Sequence, residues 1–474
     1  PDEAFTVYDI RKGTFYNNAP LYYFFMKIWL WGGSASQSIV KFYEYFLRLP
    51  SAIFSFLAIP AVYILAKAIF NKKTALAAAF FMVFSPFQIW YAQEARHYSL
   101  AVLLTAVNSL FFISWLKHRK KKHLVLFILS SILSIYTHYF AIFLLASQAL
   151  YLVIFEKNKK RMFFLLIPAV SFLPWLPVFK KIFYFLKDGF WPQKPEIGSF
   201  LITVKNMLLG YTSTTSGYAL GITIAAIAVF YAIKLGKQNK KEKLGVIFCL
   251  VNLICPILAA YLFSNTVFPL YIDRNFLIIS PFLFILIASG ISKIKPRPFG
   301  WLFVALLISI EFSSDLCYFN NKIYLPENTK YHSGSYIKKP VKPLVNFLTG
   351  NVKKEDYIVF SHLGAMLPVS FYLHLYNQSP LRSQTIYAYD PGIVDTAWQR
   401  PYQEIFKHDD LFKPKGEISG ITGREGRVFF IGGDWKRDGT LDDNSKSIKD
   451  YFDSRLRIQR AIDFEGIKLY VYGR

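Results

Sequence analysis

The chain has little cysteine and little acid. Its three cysteines, Cys249, Cys255 and Cys317, form no disulfide framework and no metal-ligand spacing. All three fall in or at the edge of long apolar runs, where they read as packing residues. Asp and Glu number 30 against 55 Lys and Arg, a net charge of +25. No internal repeat and no low-complexity tract is present, which speaks against an inverted-repeat transporter. No signal peptide precedes the first apolar stretch. In a soluble chain so basic a balance would point to nucleic acid, and the placement of the charge excludes that here.

Apolar residues are abundant: 54% of the 474 residues are hydrophobic, 18% are aromatic and the mean hydropathy is +0.30. Apolar runs of roughly 17 to 22 residues recur between lysine clusters, the length that crosses a hydrocarbon core about 30 Å thick. We expect about ten spans: Tyr45 to Phe70, Thr74 to Tyr91, Tyr98 to Leu116, Leu124 to Tyr139, Phe140 to Phe155, Met162 to Phe179, Tyr218 to Ile233, Leu244 to Phe263, Phe276 to Ile291 and Pro298 to Tyr318.

Residues 1 to 318 carry 32 basic and 12 acidic side chains, and 20 of those 32 bases fall in five short segments. These are Lys67 to Lys73, Lys117 to Lys122, Lys157 to Arg161, Lys234 to Lys243 and Lys293 to Arg297, one after every second span. By the positive-inside rule they are cytoplasmic loops, and the excess of base is a topology signal. The N-terminus, the turn YAQEARHY, the turn at Thr137 to Phe140, the loop from Lys180 to Gly217, the loop from Ser264 to Asn275 and the C-terminal region then lie outside. An outside N-terminus with no targeting segment predicts at least one span ahead of Pro1 in the full gene product.

Three regions follow: a first extracytoplasmic loop with interfacial helices (1–44), a transmembrane domain (45–318) and an extracytoplasmic α/β domain (319–474). Asn17 to Trp31 is too short and too aromatic for a span and reads as an interfacial helix, as does Lys180 to Trp191. In the last region the runs YIVFSHL, QTIYAYD, RVFFIGG and IKLYVYGR predict strands, and VKPLVNFLTG, LPVSFYLHLY and SIKDYFDSRL predict helices between them.

Charges against a membrane span are costly, so the few outside the basic loops are functional candidates. They are Asp2, Glu3, Asp9, Arg48, Glu94, Arg96, His138, Asp273 and Arg274, all directed toward one predicted side. Carboxylates can take a proton from a hydroxyl nucleophile, and arginines hold phosphate through forked hydrogen bonds. Beside an aromatic interface able to hold a lipid tail, that set fits a phosphate-bearing lipid attacked by a polar acceptor.

The motifs DEAFTVYDI, NNAPLYYFF, LRLPSAIFSFLAIPAVYILAKAIF, SPFQIWYAQEARHYSL and THYFAIFLLASQ, in that order, resemble the N-terminal half of the bacterial branch of glycosyltransferase family 39. This branch holds protein-mannosyltransferase-like and aminoarabinose-transferase-like enzymes. The resemblance spans about the first 155 residues, with a weaker echo in YIDRNFLIISPFLF. It implies a polytopic α-helical membrane protein of glycosyltransferase C type with a C-terminal extracytoplasmic α/β domain. It also implies transfer of a hexosyl or pentosyl group, with inversion, from a polyprenyl-phosphate sugar to a glycan, lipid or protein acceptor outside the plasma membrane.

Residue by residue, the resemblance makes Asp2 the catalytic base and Glu3 its neighbour in acceptor binding. Arg96 and Arg274 become donor-phosphate ligands, joined by Arg48 on chemical grounds; Glu94, His138 and Tyr139 become orienting residues, and His97, beside Arg96, is expected to orient the site with them. Where many relatives carry His-Pro-Pro-Leu-Tyr, this chain has Asn18, Ala19, Pro20, Leu21 and Tyr22. No metal is therefore assigned and no cofactor is expected beyond the lipid-linked donor, with divalent-metal dependence left open. Two rival readings are a lipid-linked sugar transporter or flippase, which needs charge through the depth of the membrane, and a non-catalytic membrane-anchored glycan-binding protein.

Overall fold

The computed structural model describes residues 18–33, 43–156, 158–187, 192–320, 341–353, 355–361, 386–388, 425–433, 443–465 and 467–474, with Glu3, Thr6, Val7, Ile10, Met366, Pro368, Val369, Phe371, Tyr372, Ile421 and Leu441. The chain divides into two compact units, residues 1–9 with 337–474 and residues 10–336, so the expected first loop is shared between them.

The larger unit is helical. Its N-terminal part comprises α1 (Pro20–Gly33), α2 (Tyr43–Ile69), α3 (Lys72–Phe84), α4 (Pro86–Ala92), α5 (Tyr98–His118), α6 (Lys121–Thr137) and α7 (Ala141–Phe155). A stretch broken by 3₁₀ turns follows, with α8 (Leu166–Ser171) and α9 (Leu176–Lys187). Then come α10 (Gly198–Leu209), α11 (Thr215–Gly236), α12 (Lys240–Thr266), α13 (Ser280–Ile291) and α14 (Arg297–Phe319).

Among the described residues, seven helical stretches are long and apolar enough to cross a membrane, and the bent pair α3 and α4 makes an eighth, so the protein is multi-pass. The expected spans Leu124 to Tyr139 and Phe140 to Phe155 appear as α6 and α7, helices of 17 and 15 residues. At 1.5 Å per residue each is about 25 Å long or less, shorter than the hydrocarbon core.

The expected span Thr74 to Tyr91 is bent by 56°. Pro86 is the cause, because its ring disfavours helical backbone at the residue before it. Ser85 is accordingly extended, at φ −64° and ψ 114°, and its hydroxyl accepts the Gln88 N–H to cap α4. In the Lys160–Tyr184 stretch, Pro168, Pro174 and Pro177 interrupt the ladder in the same way. The predicted interfacial segment from Lys180 continues α9, and residues 188–191 of it lie outside the described residues.

α13 is apolar on every side and every one of its residues is buried, as an all-round hydrophobic helix requires. Its Gly290 lies against the backbone of Ala228 in α11, where a β-carbon would run into the Ala228 carbonyl.

All five basic segments meet at one end of this bundle. Lys117 Nζ donates to Ala68 O and Lys241 Nζ to Phe70 O. Glu156 pairs with both Arg119 and Arg161 at 2.7 Å, and Glu242 pairs with Lys293 at 3.0 Å. α5 begins at Tyr98 and ends at this basic end, so the turn before Tyr98 lies about 30 Å away at the other end.

The smaller unit is an α/β fold with a five-stranded sheet in the order β2-β1-β3-β5-β4. Its strands are β1 (Tyr357–Phe360), β2 (Ile386–Ala388), β3 (Val428–Gly433), β4 (Arg457–Phe464) and β5 (Ile467–Gly473), with helices α15 (Lys342–Asn351) and α16 (Asp443–Asp453). β1 is parallel to β2 and β3, while β5 is antiparallel to β3 and β4. β4 was not expected, because RIQRAIDF is a mostly exposed edge strand whose charges mask its alternation. Most of the expected helix LPVSFYLHLY lies outside the described residues.

Gly290→Ala should overpack the α11–α13 contact and cost about 1–3 kcal/mol. The melting temperature of the detergent-solubilised protein is expected to fall by several degrees, and an unchanged value would show that the two helices separate freely.

Candidate functional site

The turn between α4 and α5 is built by its own backbone. Arg96 N–H donates to Glu94 O at 2.7 Å, and Glu94 N–H to Tyr91 O at 3.3 Å. The side chains on this turn are then held by different elements. Trp90 of α4 donates its indole N–H to Glu94 Oε1 at 3.2 Å, whereas Arg96 Nη1 donates to Tyr23 Oη of α1 at 2.9 Å. Ser51 of α2 donates to Arg96 O at 3.2 Å and shares a 2.9 Å hydrogen bond with Tyr22. Gln93 accepts from Tyr318 of α14 at 3.3 Å.

A second turn meets the first. The rings of His97 and His138 lie 4.8 Å apart, and Tyr98 packs against both at 4.6 and 6.0 Å. Both imidazoles are buried. The positive charges of Arg96 and Arg274 act on His97, and that of Arg274 acts on His138.

A third turn supplies Arg274, at the start of the stretch leading into α13. Asp273 is buried, and among the described residues it accepts from Asn206 Nδ2 at 2.6 Å, from the Arg274 N–H at 2.7 Å and from the Tyr211 hydroxyl. Tyr211 also shares a 2.9 Å hydrogen bond with Tyr91 of α4. The first and third turns are thereby joined through Asp273, Tyr211 and Tyr91.

Of the residues singled out by sequence, the structure brings Arg96, His97, His138 and Arg274 together. Glu94 stands on the same turn but is turned to Trp90. Tyr139 is directed away, accepting the Trp175 indole N–H at 3.0 Å and donating to Asn18 O at 3.2 Å. Arg48 is a half-buried residue of α2, three positions before Ser51. Glu3 is a half-buried helical residue of the smaller unit, and Asp2 and Asp9 lie outside the described residues. Among the described residues, no group of three or more His, Cys, Asp or Glu side chains is arranged to hold a metal.

Several residues were missed. Tyr23, Asn206 and Tyr211 carry no formal charge and leave no signal in a sequence rich in tyrosine. Lys205, buried in α10 with its ammonium 4.2 Å from the Tyr218 ring centre, stood out as a lone charge in an apolar helix. Glu311 and Asp315 also stood out, as acids inside the apolar run of α14. Glu311 is fully buried, and among the described residues neither of its carboxylate oxygens nor Asp315 Oδ1 has a hydrogen-bond partner. Glu311 is eight residues, about 12 Å, from the helix end at Phe319, so charge is not confined to the turns as expected.

Residues 20–179 match the family described as dolichyl-phosphate-mannose-protein mannosyltransferase, which bears out the resemblance to glycosyltransferase family 39. Among solved structures, the chain is similar to ArnT from Cupriavidus metallidurans in the apo state. The TM-score is 0.59 at 11% identity, over 97% of this chain and 88% of that one. The same enzyme bound to undecaprenyl phosphate matches with a TM-score of 0.61 at 10% identity, over 99% of this chain and 93% of that one. The chain therefore has the glycosyltransferase C fold. Among curated sequences no relative matches.

Asp273→Ala should strand Asn206, Tyr211 and the Arg274 N–H and cost about 2–4 kcal/mol, with a smaller loss for Asp273→Asn. Thermal unfolding in detergent reads both, and equal losses would show that the acceptor oxygens do not matter.

Proposed function

We propose that this chain is a membrane glycosyltransferase that moves a sugar from a polyprenyl-phosphate donor to an acceptor on the extracytoplasmic face. The observation that carries the reading is that Arg96 and Arg274 both lie close enough to the buried His97 ring for their positive charge to act on it, at the end of the bundle opposite the basic segments. The undecaprenyl phosphate bound by the similar ArnT supports a lipid phosphate as the group these arginines meet. The positive-inside rule puts this end outside, where nucleotide sugars are absent and a membrane-borne donor is required.

The acceptor hydroxyl attacks the anomeric carbon from the face opposite the phosphate, so configuration inverts. The bond from that carbon to the phosphate oxygen breaks, and its electron pair leaves with the phosphate. Asp2 takes the acceptor's proton, and Glu3 orients the acceptor. Arg96 and Arg274, with Arg48, stabilise the charge that grows on the leaving phosphate, which needs cations more than it needs a proton. Tyr23 fixes the Arg96 guanidinium through its 2.9 Å contact, and Asp273 fixes the backbone from which Arg274 projects. The transferred group is a hexose or pentose, and the acceptor is a glycan, lipid or protein.

Glu311 and Asp315 favour a second reading, a lipid-linked sugar transporter, since they carry charge into the depth of the helix layer. A transporter would leave the donor intact.

Incubating the full-length protein with polyprenyl-phosphate sugars and a glycan acceptor should therefore release free polyprenyl phosphate. Arg96→Ala and Arg274→Ala should each lower kcat/KM by about 100-fold, roughly 3 kcal/mol of leaving-group stabilisation. Asp2→Asn should abolish turnover. Full turnover in Asp2→Asn removes it as base, and full turnover in both arginine variants overturns the phosphate assignment.

A further inference from the structure

Arg119 occupies a backbone position that suits glycine. It caps the C-terminal end of α5, where its N–H donates to Trp115 O at 2.9 Å, and its φ of 58° lies in the left-handed region that strains a residue with a β-carbon. Strain of this kind persists where the side chain is needed. The guanidinium of Arg119 meets Glu156 at 2.7 Å, yet that carboxylate is already served. Its Oε1 accepts the Asn158 N–H at 3.0 Å and its Oε2 accepts Arg161 Nη1 at 2.7 Å. Two guanidiniums on one carboxylate leave one positive charge in excess. The Arg119 and Arg161 side chains are 43% and 24% exposed, so both still present N–H donors outward, while Glu156 is buried beneath them.

The rings next to these charges define what approaches. Trp115 lies one turn before Arg119 in α5. Phe164 lies three residues after Arg161 in the 3₁₀ segment Lys159–Leu165, on the same side of it. The two rings meet edge to face at 5.9 Å. A charged layer thus stands one turn outside an aromatic layer, the arrangement of a span at headgroup depth. The surface beside it is apolar and open, with Ile154 and Phe155 exposed at the end of α7 and Phe163 exposed beside Phe164. Phe163 and Phe164 belong to the Lys160–Tyr184 span, almost none of which is buried, so acyl chains cover them.

A ligand that touches both the guanidiniums and this surface is amphipathic, with an anion at its head. We infer that Arg119 and Arg161 hold the phosphate of an anionic membrane phospholipid whose acyl chains run along Ile154, Phe155 and Phe163. Glu156 orients the two guanidiniums, and the lipid supplies the negative charge that they lack. A zwitterionic lipid carries a cation of its own, which this basic end repels, so the site selects for net negative charge. The bound lipid joins α5 to the Lys160–Tyr184 span, which Arg161 and Phe164 tie to the bundle at the same end. This site is about 30 Å from the turn that carries Arg96 and does not rest on the glycosyl-transfer reading.

The test is thermal unfolding of the purified full-length protein in neutral detergent, titrated with phosphatidylglycerol, phosphatidylcholine or inorganic phosphate. Phosphatidylglycerol should raise the melting temperature saturably, and the other two should leave it unchanged. Arg119→Gln should raise the half-saturating phosphatidylglycerol concentration about fivefold, the share of one basic group near a headgroup. Lys237→Gln removes an exposed charge from the same end, after α11, and should leave that concentration unchanged. Arg119→Gly removes the guanidinium and relieves the backbone. Its lipid-free melting temperature should hold or rise while its response to phosphatidylglycerol weakens as in Arg119→Gln. No shift with phosphatidylglycerol, an equal shift with phosphatidylcholine or inorganic phosphate, an undiminished response in Arg119→Gln, or an equal loss in Lys237→Gln overturns the inference. A lower lipid-free melting temperature in Arg119→Gly also overturns it, because the pairing with Glu156 would then be what Arg119 serves.

Discussion

The buried carboxylate of Asp273 ties the site together. Its oxygens take hydrogen bonds from α10 through Asn206, from the following turn through Tyr211, and from the backbone of Arg274. Tyr211 passes the connection on to Tyr91 and so to the turn that carries Arg96. A carboxyl group buried in a membrane protein is tolerated only where such donors replace its water. The same contacts link two turns whose arginines lie about 180 residues apart in the chain.

Much of the architecture was legible because membranes impose few patterns. Run length and lysine clusters marked most spans, and the prediction that the basic segments share one side is met by the ion pairs and lysine–carbonyl contacts linking them. What could not be read was where prolines would break a run. Thr74 to Tyr91 is uniformly apolar enough to pass as one span, and only the extended backbone at Ser85 divides it. In the smaller unit, strands with buried alternation were found and the exposed edge strand β4 was not.

The site was legible where it is charged and opaque where it is neutral. Arg96, His138 and Arg274 were marked by the cost of placing such groups at a membrane boundary. Tyr23, Asn206 and Tyr211, which hold them, look like any other polar residue until the helices are assembled. Glu311 and Asp315 are a different failure. Their charge was visible, but they sat inside an apolar run that read as a span, and hydropathy averaged them away.

The ion pairs at the basic end bear on how the chain comes to be oriented. Arg119 and Glu156 belong to different hairpins, as do Glu242 and Lys293. While the chain is being inserted, these partners have not yet met, so each loop presents its full positive charge to the translocation machinery. Neutralisation follows only when later hairpins arrive. Orientation is therefore decided before tertiary structure exists, and the pairs that form afterwards fasten a decision already made.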